Sequence, residues 1–519
     1  MLGLLLAAQL SAVQLENAKP GSPDWEIVNV ASDRDIEGYA SSTSVNGGDA
    51  IDLFISTRDP RYTIDVYRMG WYAGAGARRV AGPIERSGFV QDMPKPDPST
   101  GLLECRWREP LHLETRDGSA AWTSGVYLAR LTAHPSGKQS FIVFVVRDDR
   151  RSAAIVFQSS VTTFAAYNNW GGASLYAFNS TDQKPARKVS FDRPYAVNPY
   201  GVRLDGAGDF LRRWEYNAVR FLEHEGADVK YITDVDTHET AMVPRAGGDG
   251  IAAPKIFLSV GHDEYWSVPM RDHVQAARDA GVHLAFLGAG ACFWRIRFEP
   301  NGAGTPNRTV VSYKEAAGND DPVAIDANPQ NDRLVTARWR DSPSKRPEES
   351  LIGVMYAADP VDGDMVVDDA SQWAYEGTNV RRGTVLSGLL GYEVDAMTTD
   401  EPHNRIRLAH SPFVDQGRTR YADATIYTAG SGAIVFAIGS MQWNWGLDGY
   451  NAPTWHADRV NAVAQRVTRN VLDRMLQTQA HPSNTTPGRT RGDFAPSWIV
   501  IAAAVVGAVV VLRAWLTRA

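Results

Sequence analysis

The chain has 519 residues, 44% of them hydrophobic and 22% charged, with a formal net charge of −7. That is ordinary globular composition, long enough for two to four domains at roughly 100–200 residues each, and without the basic stripe of a nucleic-acid binder. Two cysteines, Cys105 and Cys292, are too few for a disulfide framework or a thiolate metal site; one bridge and two buried free thiols both remain open.

The first element is the apolar run "MLGLLLAAQLSAVQ". Its hydrophobic core and small-residue end read residues 1–23 as a secretory signal segment, although the usual Lys/Arg start is absent. Over residues 24–150 the hydrophobic period is two. "AIDLFIST" sets Ile51, Leu53 and Ile55 against Asp52, Phe54 and Ser56, and "YTIDVYRM", "GVYLARLTA" and "SFIVFVVRD" follow, with turn clusters such as "NGG" and "HPSGK" between them. Short strands at regular spacing predict an immunoglobulin-like β-sandwich. The charged stretch "RDDRRS" over 147–152 reads as a linker.

Residues 151–478 alternate between periods. "SAAIVFQSS" reads as a short buried strand. "GDFLRRWEYNAVRFLEHEG" places Phe210, Leu211, Trp214, Ala218, Phe221 and Leu222 on one helical face, with Gly226 as its left-handed stop. "DVKYITD", "KIFLSVG" and "VHLAFLG" are further strands. "KIFLSVG" is followed by a helix with Ser267 as N-cap, Pro269 in its first turn and Gly281 as its stop. Strand–helix–strand repetition predicts parallel crossover units, and so a doubly wound α/β domain. A polar excursion over 299–346 interrupts it. "ATIYTAGSGAIVFAIGSMQWNWGLD" returns to strands, and "HADRVNAVAQRVTRNVLDRMLQ" closes the domain as an amphipathic helix.

Residues 479–496 form a polar Pro/Gly/Thr-rich stem, and residues 497–516 include the uncharged "SWIVIAAAVVGAVVVL". A run approaching ~20 apolar residues is the length of a transmembrane helix, with Arg513 able to snorkel. Arg489 and Arg491 before it and Arg513 and Arg518 after it leave the charge rule undecided. Orientation therefore rests on the N-terminal signal, which predicts an extracytoplasmic body anchored to the membrane.

Ligands of doubly wound sheets bind outside the carboxyl ends of the strands, which directs attention to the loops there. The first carries Tyr167, Asn168, Asn169 and Trp170, the second Asp234, Asp236 and His238, the third "GHDEYW" and the fourth "GAGACFWRIR". Candidate substrate contacts are Asn168, Asn169, Trp170, Asp234, Asp236 and Trp266. His262 and Glu264 have the chemistry of a proton-transferring pair; the structural alternative is a turn cap and an arginine partner. Tyr265 and Glu264 offer hard oxygen ligands, with His262 adding nitrogen, although buried tyrosines more often simply pack and hydrogen-bond. Trp170, Trp266, Trp294, Trp443 and Trp445 would either line a pocket, stack on sugar rings or cover the sheet's rim. The chain has no GxSxG, P-loop or HExxH, and no third glycine after Gly288–Gly290, so no nucleotide cofactor is expected. Asn179, Asn307 and Asn484 lie in glycosylation sequons, relevant only in a glycosylating host.

In order, "YRMGWYAGAGARRV", "TTFAAYNNWGGASLY", "VSFDRPY", "YITDVD", "VGHDEYWSVPMRDHVQAARDAGVHLAFLGA" and "FAIGSMQWNWGLD" resemble the C-terminal domain of the large subunit of N,N-dimethylformamidase. The resemblance implies a β-sandwich beside a domain similar to class I glutamine amidotransferases, and hydrolysis of a small formamide with iron held by two tyrosines and a glutamate. Tyr265 and Glu264 fall in a matching motif, and Tyr231 in "KYITDVD" would be the second phenolate. The expectation is a membrane-anchored amide hydrolase, with metal assistance as the resemblance implies; the alternative is a surface protein gripping cell-envelope glycan or another ligand without turnover.

Overall fold

In the strand Ala50–Thr57, Ile51, Leu53 and Ile55 turn inward and are nearly inaccessible, while Ala50 faces solvent. A half-buried sheet imposes this alternation, because successive side chains project to opposite faces. In this computed structural model the described residues are 10–478, apart from 197–204, 212–213, 241, 243–252, 327, 399–400 and 453–458. The strand Ala50–Thr57 pairs with Ile36–Ala40 and Leu111–Glu114 in a three-stranded sheet. A five-stranded sheet contains Ser44–Asn46, Gln139–Arg147, Gly125–His134, Arg61–Met69 and Ala77–Ser87, in that order. Ile36, Leu53, Ile64, Val66, Leu131 and Phe144 join the two sheets in one apolar cluster.

The next sheet has seven strands. Val229–Thr233, Ile155–Ser159, Ile256–Gly261, His283–Gly288 and Ile434–Ala437 run parallel, and Arg418–Thr428 and Ile406–Asp415 extend it antiparallel. All five parallel strands are buried along their whole length, which explains their continuous rather than alternating hydrophobicity. The helix Val268–Asp279 begins as its residues dictate: Ser267 accepts a hydrogen bond from the amide of Met270, and Pro269 sits in the first turn. Gly226 and Gly281 take positive φ just past their helices. No sheet mixes strands from before and after Arg147 among the described residues, yet these residues all fall in one compact unit. One apolar cluster includes Tyr67, Val126 and Phe141 together with Phe157, Phe221 and Tyr231.

The fold class expected from the sequence needs correction. The chain is mostly β, 35% strand against 22% helix, and does not build a doubly wound α/β domain. Local strand–helix alternation over 155–288 is real, but the chain between His283–Gly288 and Ile434–Ala437 returns through antiparallel pairs. Among them is the long ribbon Met355–Val366 with Val385–Ala396. The connection from Ile155–Ser159 to Val229–Thr233 carries, besides the helix Glu215–His224, the short helix Val161–Tyr167, isolated 3-10 turns and the strand Lys188–Ser190, which belongs to another sheet. Periodicity over a dozen residues does not report such long-range returns. The expected C-terminal membrane helix also lacks support. No described helix is long and apolar enough to cross a membrane, and the predicted stem and anchor at 479–516 lie outside the described residues, as do residues 1–9 of the predicted signal.

Candidate active site

Gly261 ends the strand Ile256–Gly261 at φ +69°, a left-handed turn that costs glycine nothing. The chain then delivers His262, Asp263, Glu264 and Tyr265 into the interior, none more than 8% exposed. Asp263 is a structural anchor. Its carboxylate accepts hydrogen bonds from Gln158 Nε2, Ser259 Oγ and Trp266 Nε1, each at 2.7 Å. The Glu264 amide donates to Thr163 Oγ1 at 3.0 Å, and the Trp294 amide donates to the Glu264 carbonyl at 2.9 Å. The loop is fixed on both sides.

Held in this way, the Glu264 carboxylate becomes the centre of an oxygen cluster. The hydroxyls of Tyr167 and Tyr176 each donate to Glu264 Oε2 at 3.0 Å, and the Tyr265 hydroxyl lies 2.5 Å from that of Tyr176. The rings of Tyr167 and Tyr176 stack with centroids 4.3 Å apart. His262 Nε2 lies 3.2 Å from both Glu264 Oε2 and Glu393 Oε1, although neither approach has hydrogen-bond geometry. Gly290 makes room for Glu393, since a Cβ there would come within 2.3 Å of Glu393 Oε2. Lys314 completes the cluster. It is 7% exposed, its Nζ has no hydrogen-bond partner among the described residues, and it sits 3.0 Å from the Tyr176 ring centroid.

The electrostatics follow from burial. Burial pushes His262 down, but Glu393 and Glu264 outweigh it and raise the imidazole to about 10. Burial raises Glu264, but His262, Lys314 and Tyr176 overcome this and leave it below the ordinary carboxylate value. In Glu393 burial wins over His262, and its carboxyl is raised. Burial and the charge of Glu264 hold all three phenols well above their usual value. Lys314 is pulled down to about 7 by burial, against the attraction of Glu264.

Other residues selected from the sequence take different places. The Tyr231 hydroxyl donates to Glu223 Oε1 at 2.9 Å, in a network with Arg68, so Tyr231, Tyr265 and Glu264 do not assemble as one ligand set. Asp234 accepts from the amide and hydroxyl of Thr162 at 2.8 and 2.6 Å. Asp236 caps its own helix through Thr233 and accepts from Ser44 Oγ and Arg147. Asn168 accepts from the amides of Trp170 and Ala196 and donates to the Pro194 carbonyl. Half-buried Asn169 and fully packed Trp170 line a cavity of about 340 Å³, and Trp170 donates to Glu37. Trp266 is fully buried on Asp263. Trp170, Trp266, Trp294, Trp443 and Trp445 are all 6% exposed or less, so they offer no open platform for sugar stacking. Tyr176, Lys314 and Glu393 were not singled out from sequence; Tyr176 closes the motif "TTFAAYNNWGGASLY", whereas no motif or period marks Lys314 and Glu393.

Among the described residues no three His, Cys, Asp or Glu side chains gather as a metal group. A metal here would instead need phenols, and the donor set fits one: Tyr167, Tyr176 and Glu264 present hard oxygen atoms at one point. The family model described as N,N-dimethylformamidase beta subunit-like, C-terminal, matches residues 63–457. The chain belongs to this family. No curated protein was found to match it. The matched span of this dimethylformamidase-like chain contains every member of the oxygen cluster, and leaves out the strands Ile36–Ala40 and Ala50–Thr57.

Proposed function

We propose that the chain hydrolyses the C–N bond of a small amide, with Glu264 at the centre of the site. The observation that carries this reading is the convergence of Tyr167, Tyr176, Tyr265 and His262 on Glu264, with Glu393 on the far side of the imidazole. Family membership supports a dimethylformamidase-like hydrolase. Tyr167, Tyr176 and Glu264 are the residues that would hold iron, and a bound iron would supply Lewis-acid polarisation of the amide carbonyl and activation of water. The chain's own groups handle the protons. Glu393 is placed to accept one from water, and His262, in reach of both carboxylates, to deliver one to the departing nitrogen. Lys314 places a cation beside the Tyr176 ring, where it favours negative charge on the phenol or on the tetrahedral carbon's oxygen. Burial excludes bulk water from this exchange and strengthens each interaction.

The test is direct. Purified full-length protein is analysed for metal, then assayed for amine and formate release from N,N-dimethylformamide and other small formamides. The expected result is stoichiometric iron, turnover, and loss of both on chelation. Iron-loaded protein that cleaves no small amide would overturn the reading.

A further inference from the structure

Arg193 is a buried cation that no acidic side chain answers among the described residues. It is 2% exposed. Its Nη1 donates to the carbonyls of Trp170 and Ala173 at 3.1 and 2.8 Å, and its Nη2 to that of Asn168 at 2.8 Å. Its Nε is buried and has no hydrogen-bond partner among the described residues. The groups that feel its charge are the Cys105 thiol and the Tyr195 phenol, and burial keeps both neutral. Burial also draws the guanidinium itself down to about 10. Three neutral carbonyls offset only part of the several kcal/mol that burying an ion costs.

Arg193 lines a cavity of about 20 Å³, whose wall also includes Tyr39, Ser42, Thr43, Tyr195 and Arg308. Arg308 is already neutralised, because its Nε and Nη2 both bond Asp192 Oδ1, at 3.0 and 2.6 Å. The wall therefore combines one uncompensated positive charge with hydroxyl-bearing side chains. We propose that this cavity is a binding site for a small monovalent anion of chloride size. One water needs roughly 10–15 Å³, so a chloride fits and a tetrahedral oxyanion does not. Water would satisfy an N–H but leave the charge unanswered; a halide meets both needs. The larger cavity shares Gly38, Tyr195 and Gly206 with the smaller one and so lies beside it.

The site also has a consequence for the loop beside the oxygen cluster. The carbonyls that Arg193 holds belong to Asn168, Trp170 and Ala173, directly after Tyr167. An anion on the same guanidinium tightens the segment that positions this tyrosine.

The experiment uses the full chain and chloride itself. Excess ³⁵Cl line broadening is measured with wild type and with Arg193→Lys, and thermal midpoints are compared in chloride, bromide, sulfate and gluconate at equal ionic strength. The expected result is excess broadening that falls at least tenfold in the variant. Chloride and bromide should raise the wild-type midpoint by about 2 °C or more relative to gluconate but not that of Arg193→Lys, whereas sulfate, which stabilises folded proteins by exclusion, should raise both alike. Absence of excess broadening in folded wild type, or undiminished broadening in folded Arg193→Lys, would overturn the proposal. Should the variant not fold, wild-type crystals grown in bromide decide: an anomalous peak at Arg193 supports the site, and none there refutes it. These readouts involve no amide turnover, so they stand or fall separately from the hydrolase reading.

Discussion

Glu264 and the tyrosines around it allow ligand, positioning and packing roles to be separated by single substitutions. Glu264→Gln keeps the shape of the side chain but removes the charge that Tyr167, Tyr176 and His262 share. The expected outcome is a fall in kcat/KM of about 10²-fold or more with an unchanged circular dichroism spectrum. Tyr176→Phe should lower bound iron and bleach any phenolate-to-metal absorption. Tyr231→Phe should leave both unchanged, since that hydroxyl serves Glu223, and should instead cost about 1–3 kcal/mol of stability by leaving a buried acceptor short of a donor. Denaturant melts and absorption spectra of the two variants distinguish the roles. Equal bleaching in both would reassign Tyr231 to the site.

At the level of elements, two connections control what the strands deliver. The first lies after His283–Gly288, where Gly290 at φ +67° leaves space for the Glu393 carboxylate from the ribbon. Gly290→Ala would place a methyl group on that carboxylate and on a backbone conformation unfavourable to alanine. We expect at least tenfold lower kcat with a modest loss of stability; unchanged kinetics would remove Glu393 from the proton path. The second is the N-terminal helix Ala12–Asn17, opened by a capping box between Ser11 and Gln14. It belongs to the folded body: Val13 is fully buried, Glu16 contacts Arg78 and Tyr72, and Asn17 donates to Glu223. Burial raises Glu16, but Lys19, Arg68 and Arg78 outweigh it and lower the carboxyl from 4.5 to about 2. A depressed acid stabilises the fold fully above its unfolded value and loses that contribution as pH falls through the folded one. Glu16→Gln should therefore destabilise the protein above pH 4.5, by on the order of 3 kcal/mol, and flatten the loss of stability between pH 4.5 and 2. Parallel acid titrations of stability in wild type and variant check this.

Across the whole molecule, the sheets before and after Arg147 are joined by buried ions. Arg68, from the strand Arg61–Met69, meets Glu223, from the helix Glu215–His224, through two bonds of 2.8 and 2.9 Å, and both side chains are fully buried. A second joint links Arg147 and Ser44 to Asp236. Removing one partner of a buried pair strands the other, so Glu223→Ala is expected to cost about 3–5 kcal/mol. With an apolar cluster also continuous across the two parts, calorimetry of the wild type should show one unfolding transition over these residues. Two resolved transitions would mean that the joint is weak.

What the sequence by itself determined is local. Continuous apolar runs marked the buried parallel strands, alternation marked Ala50–Thr57, and Ser267 with Pro269 marked the start of a helix, because burial, pleat and capping act over a few residues. The dense cluster at His262, Asp263, Glu264 and Tyr265 was legible for the same reason: so many buried titratable groups at a strand's end need shared partners. Which partners they are was decided only by the tertiary structure. Tyr176 follows an irregular loop, Lys314 comes from the polar excursion, and Glu393 arrives on the ribbon Val385–Ala396, so none shares a local period with the cluster. Tyr231 shows the converse. It lies close to the cluster in strand order, but its pairing beside Phe157 turns its hydroxyl toward Glu223. The antiparallel return over 289–433 likewise left no doubly wound pattern to read. Local chemistry sets where chains bury and turn; closure of distant segments sets which side chains meet.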